Sequence, residues 1–311
     1  MTDADAALSI EGLTKRYAKR TVVDHLDLNV PRGVVAGFVG PNGSGKTTTM
    51  RMLLGLVGPD SGGGTVLGQP ISDPAAFLPK VGALIESPAF YPALTGHRNL
   101  RVMAALAGQD PGRIEPVLEL VGLGERGGDL YRSYSLGMKQ RLGIAASLLG
   151  DPDLLVLDEP ANGLDPAGIR EIRVLVRNLA ARGTTVFISS HLLAELEQAC
   201  DWLVMIDRGQ SLFNGPISEL LAGDDVEITI EPLHPADARA LAAVLGGSGP
   251  PLTIRPDGDA VVTPANSASC RAVAARLNSE ALSAGIEIAA LTTTKPNLED
   301  RFMDLVPGQV L

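Results

Sequence analysis

Lys46 and Thr47 close the stretch Gly40-Pro41-Asn42-Gly43-Ser44-Gly45-Lys46-Thr47, whose spacing matches the G-x-x-x-x-G-K-[ST] phosphate loop residue for residue. Gly40, Gly43 and Gly45 free the backbone to turn N–H groups toward an anion, and a helix beginning near Thr48 adds about half a unit of positive charge there. The chemistry this predicts is that of a bound triphosphate: Lys46 reaches its β- and γ-phosphates, and the Thr47 hydroxyl ligates Mg²⁺. A glycine-rich turn that binds nothing is the alternative, and it leaves the lysine and hydroxyl in register after the last glycine without a reason.

A second group lies far downstream. Asp158 and Glu159 end the apolar run Leu154-Leu155-Val156-Leu157, which reads as a strand covered on both faces. Two carboxylates in that position are costly unless something uses their charge. Asp158 is the expected partner of the Mg²⁺ held by Thr47, and Glu159, pointing the other way, can orient and deprotonate a water. A structural salt bridge is the competing reading. His191 follows the strand-like Thr185–Ser189 at the same sheet edge, whereas His25, His97 and His234 read as structural.

Each of these groups needs an element to hold it. Val34 to Val39 reads as a buried strand and Thr48 to Leu56 as a helix, which is the context a phosphate loop requires. Leu8–Ile10, Thr21–Val23 and Leu26–Val30 read as short strands of an antiparallel sheet, since Leu26, Leu28 and Val30 alternate with Asp27 and Asn29. Tyr17, between two of them, offers its ring to a nucleotide base, a stack worth about 1–3 kcal/mol at comparable sites, or else packs as an ordinary tyrosine.

Val81 to Ile85 is a strand that Glu86-Ser87-Pro88 breaks. Thr95 caps a helix carrying Leu100, Met103, Ala104 and Leu106. Asp110-Pro111 starts another with Ile114, Val117, Leu118 and Val121 on one face, which tolerates Pro116 only near its first turn. Phe90, Tyr91, Tyr131 and Tyr134 suit either a protein interface or the core of a small helical subdomain. Ser135 caps a helix running to about Leu149. Asp165 caps a further one, with Pro166 in its first position and Ile169, Ile172, Val176 and Leu179 on its buried face.

At 311 residues the chain suits one large domain and a smaller one. A net charge of −10 disfavours a protein that grips nucleic acid, which needs clustered Lys and Arg. Cys200 and Cys270, the two cysteines, imply a reducing, cytosolic compartment. No apolar stretch approaches the ~18 residues of a membrane span, and Asp3 and Asp5 stand where a signal peptide is basic. The expectation is a soluble chain that reaches a membrane only through a partner.

Gly40–Thr47, Ser135–Met138, Leu154–Glu159, the Asn162–Asp165 turn and His191, in this order, resemble the ATP-binding subunit of an ABC transporter over about residues 8–220. The resemblance implies an α/β phosphate-loop NTPase of ABC type spanning 1–222, with an N-terminal antiparallel β subdomain and an inserted helical subdomain at about 87–150. By it Tyr17 matches the aromatic loop that stacks on adenine, Asp158 and Glu159 the carboxylate pair, Asp165 the D-loop and His191 the switch histidine at the γ-phosphate. It implies ATP and Mg²⁺, a second copy whose signature serine closes over the first copy's γ-phosphate, and a separate transmembrane permease.

Two positions depart from the pattern. The signature, usually Leu-Ser-Gly-Gly-Gln, reads Tyr134-Ser135-Leu136-Gly137-Met138, which keeps Ser135 and Gly137 as phosphate donors. Glu86 occupies the position of the Q-loop glutamine, where a carboxylate still offers an oxygen to Mg²⁺ but loses the amide donor. Glu86 and the segment to Pro92 look like bacitracin and lantibiotic self-protection exporters, so export of a drug, peptide antibiotic or lipid-like cargo is the implied function. The expected location is the cytoplasmic face of the membrane, through the permease.

From Asp224 onward twelve Asp and Glu face six Lys and Arg, so this tail carries more than half the net charge. Strands at Val226–Ile230, Leu252–Ile254, Ala260–Thr263 and Ile286–Leu291 and helices around Leu241 and Leu277 give the order of a ferredoxin-like α+β domain over 223–311, with a turn at Asp257-Gly258-Asp259. Leu298–Leu305 looks like the closing segment of drug-resistance ABC ATPases, and the tail reads either as a docking module or as a stabilising appendage. A soluble ABC ATPase acting on ribosomes or DNA shares every nucleotide residue, but commonly carries two cassettes or a long coiled coil. A phosphate-loop kinase or GTPase lacks the serine-glycine helix before the carboxylate strand.

Overall fold

A long hairpin opens the chain, in which β1 (Ala6–Tyr17) pairs antiparallel with β2 (Arg20–Pro31). The three short strands expected here are therefore two long ones, with Thr21–Val23 and Leu26–Val30 in one strand. The alternation breaks between them because His25 takes φ +49 and the register shifts from Lys15↔Val23 to Leu13↔Leu26. Such a bulge re-aims side chains without ending the pairing. The computed structural model describes residues 6–86, 89–190, 192–221, 227–245, 252–254, 260–262, 270–294 and 297–305, which fall into two units that divide between Ile217 and Ser218.

In the first unit the strands that follow are β3 (Val35–Val39), β4 (Ser61–Val66), β5 (Gln69–Pro70), β6 (Val81–Leu84), β7 (Leu154–Leu157), β8 (Thr185–Ser190), β9 (Trp202–Asp207) and β10 (Gln210–Pro216). An antiparallel sheet has the order β2-β1-β4-β5, and a six-stranded sheet has the order β10-β9-β3-β8-β7-β6. The latter is parallel from β9 to β6, with β10 antiparallel to β9. The sequence patterns separate the two sheets. β3, β7 and β8 are buried at every residue, as continuous apolar runs demand, while β2 alternates buried Leu26, Leu28 and Val30 with more exposed positions. Both sheets feed one core, in which Leu8, Leu26, Phe38, Met50 and Phe187 are buried and the rings of Phe38 and Phe187 stack at 5.0 Å.

The helices are α1 (Lys46–Leu53), α2 (Pro74–Phe77), α3 (Gly96–Ala107), α4 (Ile114–Leu120), α5 (Leu136–Leu148), α6 (Pro166–Ala181) and α7 (Leu193–Ala199). α1 begins two residues before Thr48 and ends before Leu56. Thr95, Ser135 and Asp165 cap α3, α5 and α6, each accepting from the amide three residues on, a contact worth about 1 kcal/mol. Pro116 falls in the first turn of α4. On α6 the buried face is Ile172, Leu175, Val176 and Leu179, while Ile169 is only half-buried.

The aromatic group divides between its two readings. Tyr131 and Tyr134 are buried core residues, with Phe90 edge-on to Tyr131 at 5.3 Å and the Tyr134 hydroxyl donating to Arg126 O at 2.7 Å. Tyr91 is 61 % exposed.

α8 (Ile217–Leu221) spans the division. The second unit runs β11 (Glu227–Pro232), α9 (Ala238–Leu245), β12 (Leu252–Ile254), β13 (Ala260–Val262), α10 (Cys270–Ser283), β14 (Ile288–Thr294) and α11 (Leu298–Leu305). Its antiparallel sheet has the order β12-β13-β11-β14, the split βαβ arrangement. Ile228, Ile230, Leu241, Cys270 and Leu277 form its core, whereas Leu282 is exposed. Val226, Thr263 and the Asp257-Gly258-Asp259 turn lie outside the described residues.

Candidate active site

The order β3-β8-β7 places one strand between the phosphate-loop strand and the carboxylate strand, and that strand supplies a hydroxyl. Asp158, just past β7, accepts from Thr47 Oγ1 at 2.8 Å through Oδ2 and from Ser189 Oγ at 2.6 Å through Oδ1. Ser189 Oγ in turn accepts from the Glu159 amide at 2.9 Å. Asp158 is only 8 % exposed, so two donors fixing its two oxygens offset the cost of burying it. Ser189 carries no sequence signal beyond its place at a strand's C-terminal end. Only the strand order reveals its role.

The loop is a backbone cradle. A Cβ on Gly40 would lie 2.2 Å from Ile206 O, and Gly45 takes φ +111 with Val22 O at 2.8 Å from where its Cβ would stand. Both positions exclude any other residue. Asn42, Gly43 and Ser44 turn between them, and Ser44 Oγ is buried without a hydrogen-bond partner among the described residues, as a group awaiting an anion would be. Lys46 Nζ donates to Gly40 O at 2.6 Å and to Pro41 O at 3.3 Å, holding the loop closed on itself. Burial lowers the Lys46 pKa, opposed by Glu159 and then Asp158.

Glu159 faces the loop as well, with Oε1 4.0 Å from Lys46 Nζ. A left-handed φ of +48 turns the chain there, so the alternation that sends neighbouring strand residues apart no longer applies. Thr47 and Asp158 are the residues that would hold Mg²⁺. Such an ion takes hard oxygen donors, often one or two from protein with phosphate and water supplying the rest. The Thr47 hydroxyl and the Asp158 carboxylate place two such oxygens side by side, 2.8 Å apart. Glu86 is not brought to this pair, because φ +66 turns it outward to an ion pair with Arg51, at the end of α1. His191 lies outside the described residues, as do Ser87 and Pro88.

Tyr17, 46 % exposed, ends β1 opposite Arg20 of β2, so both side chains stand on one face of the hairpin. Arg20, Gly43, Ser44 and Arg208 line a cleft of about 410 Å³ beside the loop. Neither arginine belongs to a motif, and hairpin register is the signal that could have found Arg20. Arg20→Ala is expected to raise the KM for nucleotide about 3–10-fold, roughly the worth of one exposed charge-assisted contact, with kcat unchanged. Steady-state kinetics at fixed ionic strength checks it.

Ser135, Gly137 and Asp165 meet at a different cleft, of about 350 Å³, whose lining contains no phosphate-loop residue among those described. Ser135 Oγ accepts from the Met138 amide at 3.2 Å, and Asp165 Oδ1 from the Gly168 amide at 2.9 Å. Each thereby ends a helix whose N-terminus carries partial positive charge.

Residues 23–162 match the family model described as ABC transporter. The chain is 46 % identical over 216 residues to the bacitracin transport ATP-binding protein BcrA of Enterococcus faecalis, covering 68 % of this chain and 70 % of the relative. It is 35 % identical over 310 residues to the linearmycin resistance ATP-binding protein LnrL of Bacillus subtilis (strain 168), covering 96 % and 97 %. A solved ATP-binding subunit of an ABC transporter is similar with a TM-score of 0.62 at 29 % identity, over 70 % of this chain and 92 % of that one.

Proposed function

The chain belongs to the ATP-binding proteins of ABC transporters, and from that membership we propose that two copies of it sandwich two MgATP molecules and hydrolyse them in turn. It is the ATPase subunit and works with a membrane permease; no helix of the described residues is long and apolar enough to cross a membrane. The supporting observation is the separation of the two clefts. Pro41, Asn42, Gly43 and Ser44 of the phosphate loop line one cavity of the chain, and the phosphate donors Ser135 and Gly137 line another.

In this reading Tyr17 stacks on the base and the loop amides hold the β-phosphate, while Lys46 turns from the Gly40 and Pro41 carbonyls to the β- and γ-phosphates. Thr47 and Asp158 would hold Mg²⁺, which when bound would supply positive charge to the phosphate oxygens. Glu159 accepts a proton from the water that attacks the γ-phosphorus as the bond to the ADP oxygen breaks. Ser135 and Gly137 of the second copy cap the γ-phosphate, and His191 takes the same phosphate on the strength of its place in the sequence alone.

Glu86 does not ligate the ion in this reading. Its pairing with Arg51 ties the phosphate-loop helix to the segment running to Tyr91, where the exposed tyrosine suits the permease. ATP binding closes the pair and hydrolysis reopens it. The cargo class is a drug, a peptide antibiotic or a lipid-like molecule moved outward, by analogy with the bacitracin transport and linearmycin resistance relatives. The LnrL match covers 96 % of this chain and so reaches well beyond the ATPase domain at 1–222, which supports a second domain over 223–311 that docks or regulates.

The test is turnover of the full-length chain across dilution. Specific activity is expected to fall as the copies separate, and Ser135→Ala is expected to abolish it at every concentration. Equal activity at all dilutions, or full activity with alanine at 135, overturns the sandwich.

A further inference from the structure

The helices that Ser135 and Asp165 cap are held by different partners. α5 packs on α3, α4 and β6, whereas α6 packs on α7, β8 and β3. Between them lie the 350 Å³ cleft and a second groove of about 650 Å³, and Arg141 and Glu171 line both. Arg141 stands six residues past Ser135, and Glu171 six past Asp165. At 1.5 Å per residue, each lies about 9 Å along its helix from the cap.

Arg141 Nη1 is 3.5 Å from Glu171 Oε2 and donates to Val121 O and Gly122 O, both at 3.4 Å, at the end of α4. Its Nε is buried without an acceptor among the described residues, a cost that these contacts have to offset. Nearer the caps, Leu136 lies over Gly163, where a Cβ would come within 3.0 Å of Leu136 Cδ2. The ion pair thus joins α5 to α6, and the Leu136 contact joins the start of α5 to the turn ahead of α6.

We propose that Arg141 is a positioning residue for hydrolysis: through Glu171 it ties α5 to α6, so that Ser135 and Asp165 reach the second copy's triphosphate as one rigid face. This rests on the sandwich proposed above. A donor displaced by about 1 Å can cost 10²-fold in rate, so the tie matters to kcat and not to nucleotide binding at the same chain's own loop.

The experiment compares Arg141→Ala, Glu171→Ala and the double variant in the full-length chain, measuring kcat, the ATP dissociation constant at dilutions where copies stay apart, and Tm. Each single change is expected to lower kcat about 10-fold or more with the dissociation constant within about twofold and Tm nearly unchanged. The double variant is expected to be no worse than the poorer single, since coupled residues are non-additive. Unchanged kcat, losses that multiply, or a Tm loss that tracks activity would each overturn the tie. Ser135→Ala, measured alongside, separates the two readings: if it is silent the sandwich itself fails, and if it is inactive while Arg141→Ala is not, only the tie fails.

Discussion

Glu159→Gln is expected to lower ATP turnover by about 10²–10⁴-fold, the range a positioned base contributes, while leaving nucleotide bound. Glutamine keeps the shape of the side chain, and the Glu159 amide still donates to Ser189 Oγ, so the backbone turn at φ +48 has no reason to relax. What is lost is a proton acceptor and a negative charge 4.0 Å from Lys46 Nζ. Removing that charge leaves Lys46 more available to a triphosphate. Binding therefore holds or tightens, and the two copies are expected to accumulate as a closed dimer in MgATP. Phosphate release and size-exclusion chromatography with MgATP report the two effects together. Turnover at the native rate would remove Glu159 from the role of base.

Lys46→Ala should act on the opposite quantity. The ammonium is 7 % exposed and lies among loop carbonyls and two carboxylates. Truncating one partner of a buried charge contact costs about 2–5 kcal/mol, so ATP affinity is expected to fall on the order of 10²-fold or more. Stability should respond far less. Burial already lowers the Lys46 pKa, which means the folded chain bears a desolvation cost that alanine relieves, offsetting the lost bonds to Gly40 and Pro41. Calorimetric titration with ATP beside a melting curve separates the two, and unchanged affinity would take Lys46 out of the phosphate site.

Much of this chemistry is local and therefore legible. Thr95, Ser135 and Asp165 are caps because residue type and the three positions after it decide a cap. The loop at 40–47 reads as a cradle because its glycines, lysine and hydroxyl are contiguous. The hairpin is less legible, since the bulge at His25 hides a continuous strand behind a broken alternation. The aromatic group at 90–134 resists any single reading, because burial of Tyr131 and exposure of Tyr91 depend on which elements fold over each ring. Glu86 suits an ion until the turn at φ +66 delivers it to Arg51.

By itself, the sequence determined the caps at Thr95, Ser135 and Asp165 from neighbouring residues, predicted a phosphate loop at 40–47, and showed the kinship with transporter ATPases through five short motifs in one order. The tertiary structure alone decided that Thr47 meets Asp158 across 111 residues, that Ser189 stands between the loop and the carboxylates, and that Arg20 shares a face with Tyr17. Those contacts follow from strand order and hairpin register, which arise from burying both faces of β3, β8 and β7 together, and no local spacing records that.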